Sequence, residues 1–159
     1  MTAFAQTTAA RFTVIRSNRE VIDAIRRIRA QNEELNPQAV ESQENNEKYD
    51  RRRSRRIQLR MPITVIPVAD VPGCEGVVEV CGEEQIAVTR DISSQGLGIL
   101  HDYPLLADEA LIHVDIPGEA PISLLYEVRW SVRKTRYSHM SGGRLTAIVM
   151  ADDDDSLDV

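Results

Sequence analysis

The chain has 159 residues, a formal net charge of −6, 42% hydrophobic content and only 4% aromatics. That length suits one domain of ordinary size with an added arm, and the composition is globular. No apolar run approaches the roughly 18–20 residues that cross a bilayer. "MTAFAQTTAARFTVIRS" also lacks the charged start and apolar run of a secretory signal, so a cytoplasmic protein without a membrane partner is expected.

In chain order, residues 1–16 show no usable periodicity and are expected to be poorly ordered. A helix is expected over 17–36. Ser17 or Asn18 can cap it, and Glu20 and Asp23 suit its positive end. Val21, Ile25, Ile28 and Leu35 recur at helical spacing beside Ile22, giving an amphipathic stripe. That stripe must be buried on the main domain or on a second copy of the chain, in a homodimer. Residues 37–50 are polar and read as a linker.

From Ile57 a period of two takes over. Ile57, Leu59, Met61, Ile63 and Val65 alternate with other residues, and Pro62 inside the run marks an edge or a bulge. In "ISLLYEVRWSV" the even positions Ile122, Leu124, Tyr126, Val128, Trp130 and Val132 form an inward row, with Leu125 as an exception. Shorter runs at 77–80, 85–92, 97–101, 110–116 and 144–150 are separated by glycines, prolines and acidic residues. Many short strands argue for an antiparallel barrel or sandwich of about 100 residues. The tail 151–159, "ADDDDSLDV", reads as an acidic, disordered, solubilising end.

Cys74 and Cys81 do not match zinc-ligand spacing and read as two free thiols in a hairpin. His101, His113 and His139 are scattered and read as surface or strand residues. No phosphate-cradling glycine loop is present, and nothing in the sequence unites Ser, His and Asp. An enzyme is the least supported class, and no metal or cofactor is expected.

Two motifs carry chemistry. "YDRRRSRRIQLR" places six arginines in residues 51–60 of an acidic protein. Arg52 and Arg56 are four apart, at most roughly 13–14 Å along extended chain, so two guanidiniums can grip one anionic ligand. Guanidinium binds phosphate and the O6/N7 edge of guanine in bidentate fashion. In "AVTRDISSQG", Ile86, Val88 and Ile92 are expected to face inward. Ala87, Thr89, Asp91 and then Ser93 would stand on the outer wall. Asp91 is an acceptor pair suited to the N1–H and N2–H donors of guanine, Ser93 can donate or accept, and Gly96 closes the segment. Taken alone, each motif has a bland account: a solvated basic arm, and an Asx or Ser turn.

Together they resemble the PilZ domain, a family of cyclic di-GMP receptors, over about residues 49–150. The likeness lies in "RRSRR" at 52–56 running into "IQLRMPITV", then "DISSQG" at 91–96, then a strand ending in "VRW". It implies a mainly β fold: a six-stranded antiparallel PilZ-type β-barrel over 51–150, binding cyclic di-GMP on its outer surface. The resemblance implies that Arg52 and Arg56 contact guanine and phosphate, Asp91 and Ser93 meet a guanine edge, and Gly96 allows the turn. Arg51 begins a second R-x-x-x-R one residue earlier, so the register is open by one. Members often carry a helix after the barrel. Here helix 17–36 is expected to take over its packing, and the 69–84 insert has room for an extra hairpin.

The expected function is a non-catalytic receptor in which the arginine lead-in closes over the nucleotide and re-aims the helix toward a downstream protein. The alternatives are a PilZ-like interaction module that binds no nucleotide, and a barrel binding RNA or DNA. The negative charge and sparse aromatics disfavour the second.

Overall fold

The computed structural model describes residues 10–35 and 57–151. Residues 1–9, the 37–50 linker, Arg51, Arg52, Arg56 and the acidic residues 152–159 lie outside the described residues. One helix, α1 (Asn18–Leu35), accompanies nine strands: β1 (Arg11–Ile15), β2 (Ile57–Gln58), β3 (Pro62–Asp70), β4 (Val77–Val80), β5 (Gln85–Ile92), β6 (Gly96–His101), β7 (Glu109–Val114), β8 (Ile122–Thr135) and β9 (Ser138–Ala151). Every pairing is antiparallel.

The pairings close on themselves twice. One circuit runs β3–β7–β8–β9–β6–β5 and back to β3, and the other runs β3–β7–β8–β9–β1–β4 and back to β3. Residues on opposite faces of the shared strands feed separate clusters, because side chains alternate along a strand. Val65, Ile112, Leu124 and Tyr126 enter the larger core, whereas Val68, Leu111, Leu125 and Ala147 enter the smaller one. Leu125, out of phase in the sequence, belongs to this second core.

Two expectations are corrected here. Residues 11–15 form β1, which bridges β4 and β9, so this part of the expected poorly ordered N-terminus belongs to the sheet. Phe12 and Val14 pack on the smaller core. Its partners lie about sixty and more than a hundred residues away in sequence, which is why so short a segment gives no local signal. At the other end, β9 takes in Ala151. Within the 69–84 insert, β4 pairs back onto β3 across a turn whose Gly73 and Gly76 both adopt φ of 77°.

The second correction concerns β5. Ile86 is 68% exposed whereas Ala87 is 3% and Thr89 2% exposed, the reverse of the expected faces. The register slips between Thr89 and Asp91 against β6. Arg90 is the additional residue of this bulge, which resets the alternation. Ile92 therefore is buried and Asp91 only partly so, as expected, although the strand before them is inverted.

α1 packs Val21, Ala24, Ile25 and Ile28 into the larger core. Ser17 Oγ accepts from the Glu20 N–H at 3.4 Å at its start. Among the described side chains of the stripe only Ile22 is exposed. The part of the stripe among the described side chains, Ile22 apart, is thus covered by the chain itself.

Between β2 and β3 the regular ladder is interrupted at 59–61 while the alternation carries through, Leu59 and Met61 staying buried and Arg60 exposed. Pro62 is the first residue of β3, a position where its missing N–H costs nothing. Buried Thr89 anchors the break: its hydroxyl accepts from the Met61 N–H at 2.8 Å and donates to the Leu59 carbonyl at 3.0 Å. Thr89→Val keeps the shape and strands both groups. It is expected to lower stability by about 1–3 kcal/mol, read from urea denaturation at unchanged m-value.

Candidate functional site

The lead-in and the D-x-S-x-x-G segment meet in backbone pairing. Ile57 pairs with Ile92 and Gln58 with Asp91, and the Leu59 N–H donates to the Arg90 carbonyl at 3.0 Å. The chain emerging from the arginine run is thus a strand laid along the residues that carry the carboxylate.

The segment after Asp91 folds as a tight turn. Ser93 N–H donates to the Gly96 carbonyl at 2.9 Å, and Gly96 N–H donates to Ser93 Oγ at 3.0 Å. The bland reading of the motif, a Ser turn, is thus true of its backbone. A Cβ on Gly96 would lie 2.7 Å from Ser93 Oγ, so this glycine lets the hydroxyl sit over the turn. Ser93 accepts here and keeps its own O–H hydrogen for donation. Opposite Asp91 stands Gly98, where a Cβ would lie 2.6 Å from Asp91 Oδ1. The carboxylate lies across β6 in the room that Gly98 leaves.

Beneath this corner, the hydroxyl of buried Tyr126 donates to the Leu97 carbonyl at 2.8 Å, tying β8 to β6 across the core. Burial, and secondarily the charge of Asp91, push the phenol pKa far up, so Tyr126 remains a neutral donor.

A groove of about 530 Å³ opens beside the turn. Residues 93–98 form one wall, and Arg129, Trp130, Gly142, Gly143 and Arg144 form the other. Trp130, 39% exposed, lies across Gly142, where a Cβ would overlap the indole. Arg129 pairs with Glu127 at 3.1 Å, and Arg144 donates to Gln95 Oε1 at 2.6 Å. The volume lies in the range of small-molecule sites, and the lining offers cations, hydroxyls and an aromatic face.

Among the predicted residues, the structure brings Asp91, Ser93 and Gly96 to one corner. Arg129, Trp130, Gly98, Gly142, Gly143 and Arg144 were not singled out as site residues. "VRW" and "SGGR" were the signals: a tryptophan opposite paired glycines on a neighbouring strand makes a ring-sized recess. Trp130 and Val132 were expected to face inward. They are instead 39% and 48% exposed, because β7 stops pairing with β8 at Glu127 and the core ends there.

A Ser–His–Asp contact does exist, contrary to the reading that nothing unites such residues. His113 Nδ1 lies 2.9 Å from Ser123 Oγ, and Nε2 lies 3.3 Å from Asp115 Oδ1. The Asp115 side chain is 85% exposed, so its charge is solvated and cannot act as the buried orienting carboxylate of a hydrolytic triad. Among the described residues no group of three or more His, Cys, Asp or Glu could hold a metal ion. Cys74 and Cys81 are both exposed and unbridged.

His101 is buried at the far end of β6. Its Nδ1 lies 2.7 Å from the Tyr103 carbonyl and its Nε2 2.7 Å from Ser141 Oγ, with the His139 ring stacked at 5.7 Å. Desolvation lowers its pKa, with the nearby His139 adding to this, against the Tyr103 hydrogen bond and Asp102. A base whose folded pKa is depressed binds fewer protons folded than unfolded, so stability rises with pH. The contribution is full above the unfolded value near 6.5 and declines as pH falls through it toward the depressed folded value. His101→Gln is expected to flatten the midpoint of urea denaturation between pH 7 and 5.

A family model described as the PilZ domain matches residues 50–154. The chain belongs to the PilZ family. Comparison with curated proteins finds no match. PilZ domains as a family are binding and adaptor modules for cyclic di-GMP rather than catalysts. The matched span omits β1 and α1, yet β1 completes the second circuit and α1 fills the larger core. No helix among the described residues is long and apolar enough to cross a membrane.

Proposed function

We infer that this PilZ chain is a cyclic di-GMP receptor of the cytoplasm, acting on a downstream protein without catalysis. The observation that carries this reading is the pairing of Gln58 with Asp91, two residues beyond Arg56. It brings the root of the arginine lead-in to the acidic corner. The closed six-strand circuit is the PilZ barrel, with the site on its outer wall. Asp91 accepts from the N1–H and N2–H of one guanine, and Ser93 donates beside it. Arg52 and Arg56, or Arg51 in the alternative register, close over the nucleotide and grip phosphate and the O6/N7 edge. The exposed Trp130 face offers a stacking platform.

Magnitude limits how the helix can respond. Swinging α1 off the barrel would expose Val21, Ala24, Ile25 and Ile28, at a cost on the order of 5–9 kcal/mol. Couplings between a ligand and a distant element are typically ~1–3 kcal/mol, and the ligand can supply only its differential affinity. The re-aimed part is therefore the end of α1 beyond Ile28, with the apolar stripe left in place.

Isothermal calorimetry with cyclic di-GMP tests the reading and gives stoichiometry, one nucleotide or a stacked pair. Saturable binding at micromolar ligand is expected. No heat at tens of micromolar would overturn it in favour of a nucleotide-independent interaction module. Affinity for polynucleotide falling steeply with salt would favour the nucleic-acid barrel.

A further inference from the structure

We propose that Asn32 is a positioning residue that links the nucleotide site to α1, and that occupancy of the site reaches the end of the helix through its amide. The proposal rests on the receptor reading above.

Asn32 is a polar residue at a position of the apolar stripe, four residues after Ile28 and three before Leu35, and it is 1% exposed. Its Nδ2 donates to the Gln58 carbonyl at 3.2 Å and its Oδ1 accepts from the Arg60 N–H at 3.2 Å. In extended chain the carbonyl of one residue and the N–H two residues on point the same way. A side-chain amide, with one donor face and one acceptor face, therefore fits them as a strand partner would. The same backbone is held on its other edge by β5, through the Gln58–Asp91 pairing and the Leu59 N–H. Residues 58–60 are thus shared between the strand that carries Asp91 and the last turns of the helix.

The start of α1 is tied to the other half of the site. Gln95, inside the D-x-S-x-x-G turn, donates from Nε2 to Asn18 Oδ1 at 3.4 Å while accepting from Arg144. These ties of α1 thus run to the two motif segments, while Arg27 in the middle of the helix pairs with Glu119 and donates to the Ala120 carbonyl. A nucleotide seated on Asp91 loads the backbone of residues 58–60 paired with β5 and so reaches Asn32, while Gln95 and the buried stripe hold the start of the helix.

The test is hydrogen exchange by mass spectrometry on the full chain, with and without saturating cyclic di-GMP. In the natural protein the nucleotide is expected to change exchange in residues 29–35 and 58–61 together. Asn32→Asp keeps the acceptor and loses the donor. It is expected to weaken binding about 5–20-fold, to leave the response of 58–61, and to abolish that of 29–35. Unchanged exchange over 29–35 in the saturated natural protein would overturn the proposal, as would an unaltered response in the variant. Should the variant not fold, the Asn32 side-chain amide proton signals of the natural protein decide the matter. A shift on titration supports the link, and none overturns it. Absence of nucleotide binding would remove the receptor reading alone, because the link is also read without ligand. There, Asn32→Asp must raise exchange at 58–61 and 29–35 together, and a rise in only one of them overturns it.

Discussion

Asp91→Asn is expected to weaken cyclic di-GMP binding by two to three orders of magnitude while leaving the folded structure intact. A carboxylate accepting two guanine N–H donors makes two charge-assisted bonds, each about 1.5–3 kcal/mol. Asparagine presents one acceptor and one donor, so one guanine hydrogen would face another hydrogen. A loss of about 3–4 kcal/mol corresponds to roughly 10²–10³ in Kd. The Asp91 carboxylate lies across Gly98 and is partly buried. Asn has the same shape, so the midpoint of urea denaturation should hardly move. Asp115→Asn, an exposed carboxylate elsewhere, serves as the control and should leave affinity unchanged. Arg52→Ala and Arg56→Ala are each expected to lose at least tenfold, and Lys should not rescue, because the bidentate fork is lost with the guanidinium. Arg51→Ala separates the two registers: a loss as large as that of Arg52→Ala would shift the motif by one. Calorimetry reads all of these. Undiminished affinity in Asp91→Asn, Arg52→Ala and Arg56→Ala together would remove the site assignment.

What the sequence made legible follows from which contacts are local. The alternation of Leu59, Met61, Ile63 and Val65 is a strand property, and all four are buried. Ile122, Leu124 and Tyr126 obey the same rule. The order of the two charged motifs was readable because each is a contiguous run. β1 was not readable, since its five residues find partners at Glu79 and Ile148, and pairings so distant leave no trace in a short window. The inverted half of β5 shows a different failure. Ile86 and Val88 looked like core residues by hydropathy, while a buried threonine with two backbone partners looked like surface. Hydropathy cannot see that the Thr89 hydroxyl is satisfied internally, nor that a bulge follows it. Asp91 reaches the correct side because the error in phase and the bulge cancel. The groove wall from β8 and β9 depends on a tryptophan meeting glycines across a ladder whose register shifts there, and register is a tertiary fact.

Gly143→Ala is expected to destabilise the protein by about 3 kcal/mol or more, at the upper end of overpacking costs. A Cβ at Gly143 would overlap the backbone carbonyl oxygen of Glu127 and lie 2.8 Å from the ring of Tyr126. Neither obstacle can yield. Glu127 sits in the β8 ladder between β7 and β9, and Tyr126 is wholly buried with its hydroxyl fixed to the Leu97 carbonyl. Relief requires parting β8 from β9, where the groove wall is built, so nucleotide affinity should fall with stability. Gly118→Ala provides the contrast. Gly118 adopts φ of 80° with nothing within 4 Å of its Cβ position, so only the left-handed backbone cost, about 1 kcal/mol, should appear. Trimming Tyr126 to leucine alongside Gly143→Ala should not rescue stability, because the backbone oxygen remains in place. Urea denaturation followed by Trp130 fluorescence measures each variant. A Gly143→Ala protein as stable as the natural chain would mean that β8 and β9 do not approach as closely as the ladder requires, and the recess beside Trp130 would lose its structural basis.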